Sequence, residues 1–127
     1  MDVTSRKPVI AIVDDDPRML ESLVDLLESG GYAVRGHSSA DSLLATGLNG
    51  IDAVVTDIAM TGLDGFELRQ QVRQTYPDLP VFLITGRNEL AEDDRVHESD
   101  GLFRKPFDAT ALLEAIAKAL GKRNTGG

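Results

Sequence analysis

Short runs rich in Val and Ile alternate along this chain with stretches whose apolar residues recur every three or four positions. Val9 to Val13, Ala33 to Arg35, Ala53 to Thr56, Val81 to Ile84 and Gly101 to Phe103 have the length and β-branched content of strands. Pro17 to Glu28 places Met19, Leu20, Leu23, Leu26 and Leu27 on one helical face, and Ala109 to Leu120 does the same with Leu112, Leu113, Ile116 and Leu120. Asp41 to Ala45 and Phe66 to Thr75 predict shorter helices, the second with Phe66, Leu68 and Val72 above a polar face. From Glu89 to Asp100 the only sizeable apolar residues are Leu90 and Val96 in an acidic run. A helix there buries little, so this connector is expected to be short and the loosest element of the fold.

Five strand-helix units in succession predict an α/β fold with a five-stranded parallel sheet and helices on both faces, because each crossover returns the chain to the same end of the sheet with right-handed topology. Ligands of such open sheets bind at the carboxyl ends of the strands, near the point where strand order reverses. The chain carries no internal repeat and no interior linker. It divides into an N-terminal extension over 1–7, one domain over 8–120, and a tail or start of a linker over 121–127.

Composition narrows the function classes. The 127 residues suit one domain, and 42% apolar and 27% charged content is ordinary for a globular chain. No run approaches the roughly 18 apolar residues of a membrane span, and Met1 to Lys7 lacks a signal-peptide pattern, so a soluble, cytoplasmic protein without a membrane role is expected. The absence of Cys excludes disulfides and thiol chemistry. Thirteen basic against 21 acidic residues give a net charge of -8, which argues against direct nucleic-acid binding.

The residues just beyond the predicted strands carry the candidate chemistry: Asp14, Asp15 and Asp16 after the first, Asp57 after the third, Thr85 after the fourth and Lys105 after the fifth. Asp16 before Pro17 reads as a helix N-cap. Asp14 and Asp15 have no such explanation. Clustered with Asp57, they form a carboxylate set whose repulsion a hard divalent cation relieves, and Mg²⁺ suits it, with the backbone carbonyl of Ala59 as a further candidate ligand. Taken alone, Thr85 is a β-branched residue at a strand end and Lys105 a surface cation. Together with a carboxylate and a metal they make a phosphoryl-transfer set: nucleophile, hydroxyl donor and neutralising ammonium. An ionised Asp57 is already nucleophilic, and its product, an acyl phosphate, requires an energy-rich donor. His37 and His97 are lone and off this set.

VDDD at 13 to 16, VVTDIAM at 54 to 60, LDGFEL at 63 to 68, ITG at 84 to 86 and KPF at 105 to 107 resemble the CheY-like receiver domains of bacterial response regulators. The resemblance spans about residues 8 to 120. It implies a flavodoxin-like sheet of order 2-1-3-4-5, phosphoryl transfer to Asp57 from a sensor histidine kinase or phosphotransfer protein, and Mg²⁺ held by Asp14, Asp15, Asp57 and the Ala59 carbonyl. It further implies Thr85 and Lys105 on the phosphoryl oxygens and a cis bond before Pro106. Such a domain catalyses only its own phosphorylation and dephosphorylation and is not a turnover enzyme. Its state is read by a downstream effector or a fused output domain, and a homodimer is compatible with the sequence.

Three positions depart from that pattern. Leu102 stands where the family usually has a switching Tyr or Phe, Thr61 stands where Pro is usual, and the interval from Thr85 to Lys105 is shorter than usual. Two other classes share parts of the residue set. A haloacid-dehalogenase-like phosphatase would use the D-x-D of Asp14 to Asp16, but Arg18 occupies the place of its expected Thr or Val. A pseudo-receiver would keep the fold and signal without phosphorylation, and the presence of all five expected side chains favours phosphorylation over it.

Overall fold

The computed structural model describes residues 7–125. The expected N-terminal extension, apart from Lys7, and the last two residues lie outside them. In chain order the elements are β1 (Val9–Val13), α1 (Pro17–Ser29), β2 (Ala33–His37), α2 (Ala40–Thr46), β3 (Ala53–Asp57) and α3 (Gly65–Thr75). There follow β4 (Val81–Thr85), α4 (Asn88–Ala91), a 3-10 helix (Asp94–Glu98), β5 (Gly101–Arg104) and α5 (Ala109–Thr125). The strands form one five-stranded sheet of order β2-β1-β3-β4-β5, with every pairing parallel. This is the α/β architecture and strand order that the sequence led us to expect.

The central strands β1, β3 and β4 are buried at every residue, which explains why they read as continuous apolar runs: helices cover both faces of the sheet. Alternation along each strand sorts its side chains between two cores. Val9, Ala11, Val13, Val54, Val81 and Leu83 pack with α2 and α3 on one face. Ile10, Ile12, Val55, Phe82 and Ile84 pack with Leu23 and Leu27 of α1 and Leu112 and Ile116 of α5 on the other.

Element ends differ from expectation where tertiary contacts override local preference. Strand β2 runs two residues further, through Gly36 and His37, because all five of its residues pair with β1. Gly36 suits that extension: a Cβ there would lie 3.3 Å from Leu20 Cδ1 and 3.4 Å from Val24 Cγ2 of α1. Helix α5 continues past Leu120 and Gly121 to Thr125. The Glu89 to Asp100 connector is short, as its few apolar residues predict, and splits into a four-residue α4 and the 3-10 helix. Leu90 and Val96 still pack against the α2/α3 core beside Leu102, so the departing residue at 102 is a core contact.

Candidate functional site

Three local devices build the carboxyl end of the sheet. After β1 the chain turns at once into α1: Asp16 caps that helix by accepting from the Arg18 N–H at 3.0 Å, with Pro17 in its first turn. Asp16 itself is exposed and engaged as a cap. After β3, Gly62 takes a positive φ and Asp64 caps α3 in a closed capping box with Glu67. Gly65 packs against the phosphoryl-acceptor candidate, since a Cβ at 65 would stand 2.6 Å from the Asp57 carbonyl oxygen. The LDGFEL stretch thus has a mechanical meaning: a cap, a close approach and the start of a helix fix the length of the loop beyond Asp57. After β4, the Lys105 N–H donates to the Thr85 carbonyl at 2.8 Å, holding the ends of β4 and β5 together, and the Lys105–Pro106 bond is cis, as the resemblance implies.

These devices bring together Asp14, Asp15 and Asp57, whose ligand atoms all lie within 4.8 Å of one another. Asp14 is fully buried, Asp57 is 7% exposed and Asp15 is open to solvent. Lys105 reaches between the two buried acids, its Nζ 3.4 Å from Asp14 Oδ2 and 3.5 Å from Asp57 Oδ2. Asp14 Oδ1 accepts from the Asp16 N–H at 2.9 Å, and Asp15 Oδ2 accepts from the Thr61 N–H at 3.2 Å. Thr85 is buried one residue beyond Ile84, the register partner of Asp57, and its Oγ1 accepts from the Arg87 N–H at 3.0 Å. The Thr85 hydroxyl proton is thereby left to donate elsewhere. Ala59 lies half-buried two residues beyond Asp57 in the same loop.

The electrostatics indicate what the cluster lacks. Burial, and next the neighbouring Asp14 carboxylate, push Asp57 above the ordinary carboxylate value, while Lys105 opposes the shift. Three carboxylates against one ammonium leave a formal charge of minus two, concentrated where two of the acids are buried. A divalent cation with a preference for oxygen ligands matches that deficit in charge and in donor type. The residues present therefore fit a Mg²⁺ ion.

Other candidates lie elsewhere. His37 engages Ser42, Nδ1 to Oγ 2.9 Å, and burial, then Arg35, lower its pKa. His97 is exposed on a groove of about 720 Å³ between α3 and the 3-10 helix. That groove gathers Arg69, Arg73 and Arg95, but Arg69 is paired with Glu98 and Arg95 with Asp93. Two features here carry no signal in residue type: the Thr61 main-chain donor, and the buried Arg69, which ties α3 to the Glu98 carbonyl. Arg69 sits on a helix with apolar spacing, which marks its position as inward-facing without revealing its partner.

Comparison with known proteins agrees with this geometry. The model of the response regulator receiver domain matches residues 10–117. The chain is 38% identical over 112 residues to the heme response regulator HssR of Staphylococcus haemolyticus, covering 86% of this chain and 50% of that protein. It is 35% identical over 118 residues to the transcriptional regulatory protein FixJ of Azorhizobium caulinodans, covering 89% and 55%. The chain thus spans about half the length of these two relatives. Among solved structures, a CheY-like receiver domain protein from Methanospirillum hungatei superimposes with a TM-score of 0.87 at 28% identity, covering 96% of this chain and 100% of that one. The response regulator TrrA of Thermotoga maritima, solved in complex with Mg²⁺ and BeF, gives 0.79 at 26% identity, covering 88% and 98%.

Proposed function

The chain belongs to the response regulator receiver family of two-component signalling, and from that premise we propose that Asp57 is its phosphoryl acceptor in a Mg²⁺-dependent reaction. The observation that carries this reading is the convergence, at the carboxyl ends of β1, β3 and β5, of three carboxylates and the Lys105 ammonium. One Asp57 oxygen attacks the phosphorus of a phosphohistidine on a sensor histidine kinase or phosphotransfer protein. The P–N bond breaks, its electron pair stays on the imidazole nitrogen, and an aspartyl phosphate forms.

Lys105, already within 3.5 Å of Asp57, neutralises charge on the incoming phosphoryl oxygens. The Thr85 hydroxyl, with its acceptor side engaged by the Arg87 N–H, donates to one of them. Asp14, Asp15, Asp57 and the Ala59 carbonyl would hold Mg²⁺, which when bound supplies positive charge to the same oxygens. The binding of Mg²⁺ and BeF by TrrA supports this assignment by analogy. The domain catalyses its own phosphorylation and dephosphorylation without turning over a separate substrate.

Its reader is an effector or a fused output domain, in keeping with the transcriptional-regulator names of relatives such as FixJ; a homodimer is a further form that such a reader could recognise. We place the domain in the cytoplasm, without direct nucleic-acid or membrane contact; among the described residues no helix is long and apolar enough to cross a membrane.

Incubation with a small acyl or amido phosphate and Mg²⁺, followed by intact-mass spectrometry, tests the reading. The wild type gains one phosphoryl group, and chelation of the metal or Asp57→Asn abolishes the gain. No adduct on the wild type would favour a pseudo-receiver.

A further inference from the structure

The three carboxylates are held unequally. Asp14 is buried, with the Asp16 N–H on one oxygen and Lys105 on the other. Asp57 is buried and reached by Lys105. Asp15 alone is exposed, and among the described residues the one group hydrogen-bonded to its carboxylate is the Thr61 main-chain N–H, 3.2 Å from Oδ2. That contact joins residues 46 apart in sequence, from the loop after β1 to the loop after β3. Without it the Asp15 side chain would be free to swing into solvent, away from the other two acids.

We propose that the main-chain N–H of Thr61 is a positioning donor for the divalent cation, acting through Asp15; this rests on the metal-binding reading above. A carboxylate accepts several hydrogen bonds, so the donor on Oδ2 leaves lone pairs for a cation while fixing the carboxylate beside Asp14 and Asp57. Hydrogen bonds that orient metal-ligating carboxylates typically contribute about ten- to a hundredfold in metal affinity. The threonine side chain takes no part: the donor belongs to the backbone. Every residue except proline can supply it, and proline, usual here in the resembled family, has no N–H.

The test uses the full chain and measures Mg²⁺ affinity by isothermal titration calorimetry, with no phosphodonor present. Thr61→Ala, which keeps the N–H, binds as the wild type does. Thr61→Pro binds about tenfold more weakly, while its urea midpoint in chelator stays at the wild-type value. Equal affinity in Thr61→Pro and wild type would overturn the inference and leave the metal site standing. Failure of the wild type itself to bind Mg²⁺ would instead overturn the metal-binding reading, and the inference with it. A second measurement covers the case in which the proline variant does not fold. In ¹⁵N-resolved spectra of metal-free protein, the Thr61 amide proton is shifted downfield, and Asp15→Ala returns it toward the free-amide range. A Thr61 amide indifferent to Asp15→Ala would equally sink the proposal.

Discussion

At the ends of β1 and β3, Asp14, Asp15 and Asp57 face one another with Lys105 as the cation between them. In the connector before β5, Asp93, Glu98 and Asp100 each have a partner of their own. Asp93 caps the 3-10 helix and grips Arg95, Glu98 pairs with Arg69, and Asp100 accepts from the Val81 N–H at 2.7 Å. Asp57 and Asp93, one acid from each region, titrate away from the ordinary carboxylate value in opposite directions. Asp57 is pushed up by burial and by Asp14, whereas the hydrogen bonds of Arg95 hold Asp93 down at about 2. Acidic content alone therefore does not mark a cation site. Crowding without compensation marks it, and the connector shows the compensated case within the same molecule.

The sharpest way to break this contrast is to add the missing charge. Mg²⁺ at a hundred times its dissociation constant is expected to stabilise the wild type by about 2.7 kcal/mol. Urea unfolding with and without chelator measures this gain, which shrinks in Asp57→Asn. A gain undiminished in Asp57→Asn would place the ion elsewhere.

Next in size is Arg69→Ala. It removes a charge-assisted tether between α3 and the Glu98 carbonyl and costs about 2 kcal/mol in stability. Amide exchange speeds up across 94–100, while the Mg²⁺ gain is untouched. If that gain fell in parallel, the two regions would be coupled and the contrast would be one of degree.

The smallest effects separate the two acids by pH. A carboxylate whose folded pKa is raised holds a proton that the unfolded chain has already lost. Stability therefore falls as pH rises from the ordinary value of 3.8 through the raised one, and stays lower above it. In chelator at neutral pH, Asp57→Asn should accordingly melt above the wild type, with the gap closing as the pH drops below the ordinary carboxylate range. For Asp93 the sign is reversed: its contribution is present above the ordinary value and is lost as the pH falls through about 2. Because the Asp93–Arg95 pair is screened by solvent and asparagine can still accept from the Arg95 N–H, Asp93→Asn lowers the neutral-pH melting temperature only slightly. A neutral-pH loss on Asp93→Asn as large as that of Arg69→Ala would make the connector's acids structural rather than locally satisfied.

Much of this was legible in residue order. The strand runs Val9 to Val13 and Val81 to Ile84 lie inside the observed strands because a doubly covered parallel sheet demands unbroken apolar sequence. Asp14, Asp15, Asp57 and Lys105 converge because strand ends of a parallel sheet share one rim. What could not be read was carried by the backbone or by distant pairing. The Thr61 donor is a main-chain group that most residues would supply, and the Arg69 tether joins positions 29 apart. The acids of the connector could not be told from solvated charge, since the N–H groups that Asp93 and Asp100 satisfy become visible only in three dimensions. Gly36 lies just beyond the strand expected at Ala33 to Arg35, and the reason a glycine fits there shows only once the α1 side chains Leu20 and Val24 are placed.

Gly65 has a consequence for how this surface diversifies. Its backbone rests against the Asp57 carbonyl so closely that an added methyl group would stand 2.6 Å away, and Asp64 and Glu67 lock the helix that starts there. The stretch from Asp57 to Gly65 is thus a span of set length, clamped at both ends. In a library randomised across it and selected for phosphoryl acceptance, the exposed Thr61 is free to drift in identity short of proline, while Leu63, packed against the core, stays apolar. Glycine returns at 65, and survivors with an inserted or deleted residue are absent. Evolution can revise what this loop presents to a partner, but not how far it reaches.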